Sequence, residues 1–291
     1  MPIYQAIVLA IVQGLTELLP VSSSAHVIVV AKLFHQNMST PGNALLLVML
    51  HTGTMFAVII YFWQQWIDTF FSSRQAFVRF ASMAFVGCLC SGVVGYPINL
   101  LIVHILGGGT HKAEIEDLFN KLNWIAPALA AAGILILYAG LHEARQPASS
   151  ESPDGKGLSW PQAVVMGIVQ GFAIPFRGFS RSGSTISAGL LAGGSRLPVE
   201  SFSFALAVVI TPIAIAREAY RLHRAGVQTG AHLHLATALV PSLLGLACAF
   251  LAGLLALKWL SRWLQQGRWY LFGIYCLLAA AAVELLYLRG W

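Results

Sequence analysis

Charge is the scarcest thing in this sequence. Only 10% of its 291 residues are Asp, Glu, Lys or Arg, while 57% are hydrophobic; a soluble domain carries about 25% charged residues. Mean hydropathy is +0.74. So few charges cannot cover a water-facing globular surface, and the chain reads as an integral membrane protein. Its long apolar runs suit helices rather than the alternating strands of a barrel. The formal net charge of +6 is modest. Loops facing anionic lipid headgroups account for it better than nucleic acid does, so membrane lipids are expected partners and nucleic acid is not. An anionic lipid substrate is also compatible with it. Cysteine is sparse too. Cys88, Cys90, Cys248 and Cys276 all lie in apolar segments without CxxC spacing, which fits small buried hydrophobes and gives no clue to the compartment. Basic residues are missing before the first apolar stretch, which instead carries Gln13, Thr16 and Glu17. That pattern is wrong for a cleaved signal peptide.

Apolar runs read against turn residues predict about ten helical pieces. Residues 3–19, stopped by Pro20, and 23–34 are each too short for a comfortable span, which needs about 20 residues. Together they predict a re-entrant hairpin, tolerated at membrane depth only where protein or a polar cavity covers it. Spans follow near 43–63, 81–106 and 123–141, with Tyr61, Trp63 and Trp66 as an interfacial belt. The one long hydrophilic stretch comes next, a linker over 142–160. The plan then repeats: pieces at 161–175 and 183–194, then spans near 203–222, 235–257 and 269–289. The expected architecture is an all-α polytopic membrane domain of two inverted-topology repeats, 1–141 and 161–291. Each repeat is a re-entrant hairpin plus three transmembrane helices. Three crossings between the hairpins invert one half relative to the other, so the hairpins enter from opposite faces and meet at the midplane. Basic residues are too evenly divided between the two faces to fix the orientation.

A polar phrase also repeats. Ile11-Val12-Gln13-Gly14 is followed by Thr16-Glu17 and Ser22-Ser23-Ser24-Ala25-His26. Ile168-Val169-Gln170-Gly171 is followed by Ser180-Arg181-Ser182-Gly183-Ser184-Thr185. Polar groups inside a membrane mark a working site by default. Gln13 and Glu17 share a helix face at i, i+4, and their oxygens suit a hard cation such as Mg²⁺ or Ca²⁺ completed by phosphate and water. The alternative is a Glu that only ties helices together. Ser22 is the expected helix cap. Ser23 and His26 lie one turn apart, a spacing that lets a histidine activate a hydroxyl, and general acid/base work is expected of His26. Around Gly178, a turn opening a helix presents free N–H groups to an anion. Ser180, Ser182 and Thr185 add hydroxyls, and Arg181 adds a planar fork that matches phosphate. A structural pair between Arg181 and Glu17 is the alternative there. The set suits a phosphorylated lipid.

At these residues the chain resembles the undecaprenyl-diphosphate phosphatases of the bacitracin-resistance family. That family's (E/Q)xxxE, PVSSxxH and PGxSRSxxTI motifs read here as Gln13 to Glu17, Pro20-Val21-Ser22-Ser23-Ser24-Ala25-His26 and Arg177-Gly178-Phe179-Ser180-Arg181-Ser182-Gly183-Ser184-Thr185-Ile186. Further similarity runs through Leu50-His51-Thr52-Gly53-Thr54 and Phe202 to Ala207. The resemblance covers essentially the whole chain. It implies two inverted repeats with re-entrant helices, and a multi-pass protein of the bacterial cytoplasmic (inner) membrane whose site opens to the outer face. It also implies divalent-cation dependence and removal of the terminal phosphate from undecaprenyl diphosphate, which recycles the cell-wall lipid carrier and confers bacitracin resistance. The sequence departs at Gln13, where the family's more acidic choice is missing, at Ala25 for a usual Gly, and at Arg177 for a usual Pro.

The resulting expectation assigns Ser23 as nucleophile with help from His26. Glu17, with Gln13, positions a cation or relays a proton. Arg181, Ser22, Gly178, Ser180, Ser182 and Thr185 hold phosphate. Attack by an activated water, with Ser23 as a ligand, stays open. So do the oligomeric state, a homodimer included, and a rival from another class: a transporter or flippase for a phosphorylated polyprenyl lipid, since inverted repeats with broken helices are a transporter signature.

Overall fold

The structure, a computed structural model, describes residues 1–36, 41–106, 122–145, 157–229 and 235–290. Ten helices occupy them: α1 (Ile3–Leu18), α2 (Ser23–Leu33), α3 (Pro41–Thr69), α4 (Arg74–Leu106), α5 (Leu122–Ala144), α6 (Trp160–Ala173), α7 (Arg181–Leu191), α8 (Arg196–Thr229), α9 (Leu235–Gln265) and α10 (Tyr270–Leu288). Most of the expected linker lies outside the described residues. Six helices, α3, α4, α5, α8, α9 and α10, are long and apolar enough to cross a membrane. Their outer faces carry large apolar side chains such as Phe85 and Leu278, both about two-thirds exposed, as lipid-facing surfaces do.

The other four helices are short. At 1.5 Å per residue, the 16 residues of α1 and 11 of α2, like the 14 of α6 and 11 of α7, fall short of a hydrocarbon core about 30 Å thick. Their breaks are local. Pro20 disfavours helical backbone in the residue before it, and Leu19 is extended, with φ −72° and ψ 149°. α6 starts where the Ser159 N–H donates to the Gln162 side chain at 2.9 Å. α7 starts where Ser180 Oγ accepts from the Gly183 N–H.

Several spans outrun their expected bounds: α4 begins at Arg74 rather than 81, α8 at Arg196 rather than 203, and α3 runs to Thr69 rather than 63. Helices continue past the hydrocarbon edge with polar residues, and an apolar scan detects only the submerged part. Trp66 corrects the expected aromatic belt. It is buried, and its indole N–H donates to Ser201 Oγ at 2.9 Å, while Trp63 is exposed.

The helices pack across the halves. α1 lies against α9 and α6 against α4; α3 packs on α8 and α5 on α10; each hairpin also packs on itself, α1 on α2 and α6 on α7. Exchanging the halves maps these neighbours onto one another, as two related repeats require. The repeated Gln-Gly makes the closest approaches. A methyl group on Gly14 would sit 2.6 Å from the Ala249 carbonyl oxygen, and one on Gly171 would sit 2.5 Å from that of Ser91. Only glycine lets each hairpin press this close to the opposite half.

Candidate active site

Glu17 is where the two hairpins meet. It stands on α1 one turn beyond Gln13, whose amide Nε2 donates to Glu17 Oε2 at 3.0 Å. Ser23, the first residue of α2, donates its hydroxyl to the same oxygen at 2.5 Å. From the other hairpin, Arg181 at the start of α7 reaches Glu17 Oε1 with Nη2 at 3.2 Å. The other guanidinium nitrogen, Nη1, is buried with no partner among the described residues. A buried donor left unpaired costs about 1–3 kcal/mol, so this nitrogen fits an acceptor that a ligand supplies.

The phosphate-type turn is built for close approach. Gly178 has φ +101°, and a Cβ there would stand 2.6 Å from the Ile125 carbonyl oxygen of α5. Its N–H donates to Ser24 Oγ at 3.2 Å. Ser24 therefore ties the first hairpin to the second, a role its spacing from His26 did not suggest. Ser180, Ser182 and Thr185 are buried, and each hydroxyl has a protein partner. Ser180 caps α7 through the Gly183 N–H at 3.2 Å. Ser182 meets the Leu19 carbonyl at 3.4 Å. Thr185 donates to the Arg181 carbonyl at 2.8 Å and lies 2.6 Å from Ser203 Oγ. What α7 does present is its N-terminus, the end of a helix that favours negative charge.

His26 faces another way. Its Nδ1 lies 2.8 Å from the Ser22 carbonyl oxygen and its Nε2 lies 2.7 Å from the Tyr275 hydroxyl on α10. A carbonyl only accepts, so Nδ1 carries the hydrogen, and the neutral ring leaves Nε2 to accept from Tyr275. Ser23 is thus paired with Glu17, not with the histidine one turn on. Ser22 is the cap residue by position, yet its side chain makes no cap bond. Its φ of +66° is rare for a non-glycine residue and stores strain of about 1–3 kcal/mol next to Ser23. Two neighbours escaped the sequence reading as site residues. Tyr275 sits in an apolar helix 249 positions from His26, with no local signal. His51, on α3, places Nε2 3.9 Å from Glu17 Oε2; only its place in a stretch of family-like residues hinted at it.

The Bacitracin resistance protein BacA family matches residues 6–282 of this chain. The chain belongs to the BacA family. Among relatives, it is 50% identical over 285 residues to undecaprenyl-diphosphatase 2 of Acinetobacter baylyi, with 97% of each chain covered. It is 30% identical to the undecaprenyl-diphosphatase of Desulfitobacterium hafniense, covering 97% of this chain and 95% of that one. It is also 30% identical to that of Rhodopirellula baltica, covering 98% of each. Family and spans together make this BacA member a multi-pass inner-membrane protein.

Proposed function

We propose that the chain hydrolyses undecaprenyl diphosphate to undecaprenyl phosphate and inorganic phosphate at the Glu17 cluster, so recycling the cell-wall lipid carrier. The observation that carries this reading is Glu17 itself. One carboxylate takes the Ser23 hydroxyl from its own hairpin and Arg181 from the other. Oε2 is placed to accept the Ser23 proton as Oγ attacks the terminal phosphorus. The P–O bond to the lipid monophosphate breaks as the Ser–O–P bond forms. Glu17 passes the Ser23 proton to the departing monophosphate oxygen. Water then attacks the phosphoserine, and Glu17 takes its proton and returns it to Ser23 Oγ as phosphate leaves. Arg181 and the N-terminus of α7 face the charge that develops on the phosphoryl oxygens. Gly178, Ser180, Ser182 and Thr185 shape that turn, and Ser22 sets the first residue of α2. His26, held by Tyr275, steadies the turn before Ser23 through the Ser22 carbonyl. The prenyl tail stays in the membrane, in a site formed between two inverted repeats and opening to the outer face.

A divalent cation, Mg²⁺ or Ca²⁺, fits this donor set only in company. Among the described residues no group of three His, Cys, Asp or Glu side chains is placed to hold a metal. Glu17 and the Gln13 amide would hold the ion, and the diphosphate and water would complete its shell. Its contribution would be to neutralise phosphate charge. The test is phosphate release by purified protein in detergent, from C55 or C15 prenyl diphosphate with Mg²⁺ or Ca²⁺ present. A transporter needs two compartments and would release none. Absence of turnover above blank overturns the reading.

A further inference from the structure

We propose that His51 is a direct ligand of the divalent cation, and that it turns the site's preference toward a transition ion such as Mn²⁺ over Ca²⁺. This rests on the proposed cation-assisted hydrolysis and names a third ligand for it.

Four observations converge. First, α3 brings His51 to the side of Glu17 that carries Ser23 and Gln13, with Nε2 3.9 Å from Oε2. That separation is too long for a hydrogen bond. It falls inside the window of about 3.0–4.2 Å open to two donors that each lie about 2.1 Å from one ion. Second, His51 Nδ1 lies 2.8 Å from the Leu47 carbonyl oxygen. Only Nδ1–H can serve that acceptor, so the neutral ring keeps its lone pair on Nε2, toward Glu17. A backbone carbonyl on the far nitrogen is one of the arrangements that orient metal-binding histidines. Third, the His51 side chain is 42% exposed, so its ring is open to a ligand, whereas both nitrogens of His26 have protein partners. Fourth, Gln13 brings no charge, and its amide needs only a half-turn to exchange the N–H now on Glu17 for an oxygen. Glu17, Gln13 and His51 then form one carboxylate, one amide and one imidazole. Oxygen-only shells suit Ca²⁺ and Mg²⁺; an imidazole shifts affinity toward transition ions in the order Mn²⁺, Co²⁺, Ni²⁺. Arg181 opposes a lone cation here, so the ion is expected with the diphosphate.

The experiment is pulsed electron paramagnetic resonance on full-length protein in detergent, with Mn²⁺ and a non-hydrolysable farnesyl methylenediphosphonate. A directly bound imidazole imprints a ¹⁴N coupling on Mn²⁺. The expected result is that wild type shows it, H51Q loses it, and Mn²⁺ affinity falls at least about tenfold, the lower bound seen when even an outer partner of a metal ligand is removed. Mn²⁺ should also displace Ca²⁺ in wild type and lose that advantage in H51Q. Mn²⁺ bound to wild type without ¹⁴N coupling overturns the role of His51 while leaving cation-assisted hydrolysis intact. That wild-type result needs no folded variant. A coupling that survives in folded H51Q assigns the nitrogen elsewhere and also overturns it. Failure to bind Mn²⁺ together with full phosphate release in EDTA overturns both the cation and this inference.

Discussion

The two hairpins share a scaffold and differ in chemistry. Gln13-Gly14 and Gln170-Gly171 occupy corresponding places, and both glycines press against the opposite half. From there they diverge. Gln170 is fully buried and donates to Ser91 Oγ at 3.1 Å, a helix-to-helix tie, whereas Gln13 donates to Glu17. One turn past Gln170, the place of Glu17 is taken by Ile174, half-exposed and apolar. Serine opens both short helices, Ser23 as the first residue of α2 and Ser180 as the cap residue of α7. Ser180 is held by the N–H it caps; Ser23 makes no such bond and gives its hydroxyl to a carboxylate. Each half carries a pair of short helices around its Gln-Gly step. In the proposed reaction the first supplies the attacking serine and its carboxylate, and the second faces the anion.

Removing the Ser23 hydroxyl should break this contrast most visibly. Ser23→Ala should lower kcat about a thousandfold or more, with lipid diphosphate still binding, and adding Glu17→Gln should cost little further if the pair acts as a unit. Phosphate-release kinetics with a binding assay measure it. A substantial residual rate would favour attack by activated water. Next in size, Arg181→Lys should lose about 10²–10³-fold in kcat, the scale for one transition-state donor. The lysine keeps the charge but not the second nitrogen. Wild-type turnover in a folded Lys variant would make Arg181 a structural partner of Glu17 alone.

Gly171→Ala tests the shared scaffold. The added methyl overlaps Ser91 backbone and should destabilise by about 1–3 kcal/mol, read as a lower thermal midpoint in detergent. Gly92→Ala is the control, because nothing lies within 4 Å of its added methyl; equal midpoints would show that the hairpin does not depend on the close approach. Smaller still, Tyr275→Phe removes one hydrogen bond to His26. It should cost about 1 kcal/mol, read as a roughly fivefold fall in kcat with KM unchanged; no change would leave the ring unlinked to the reaction. Least of all in activity, Ser180→Ala should lose only the cap, about 1 kcal/mol of stability. A catalytic loss rivalling that of Ser23→Ala would erase the contrast between the hairpins.

What the sequence determined by itself is whatever depends on neighbours along the chain. Scarcity of charge placed the protein in a membrane. Apolar runs and breakers such as Pro20 predicted ten helical pieces, because helix formation and its interruption are short-range. Gln13 and Glu17 share a face by the arithmetic of 3.6 residues per turn, and the doubled Gln-Gly motif predicted two related halves, with which the helix neighbours are consistent. The tertiary structure decided who meets whom. The same arithmetic put His26 one turn from Ser23, yet His26 binds back to the Ser22 carbonyl. The positive φ at Ser22 starts α2 so that Ser23 meets Glu17. Arg181, Tyr275 and His51 reach this cluster through α7, α10 and α3. Such contacts are set by how helices from opposite halves pack, which depends on surfaces far apart in sequence. A one-dimensional pattern can therefore name the reactive residue types but not their partners.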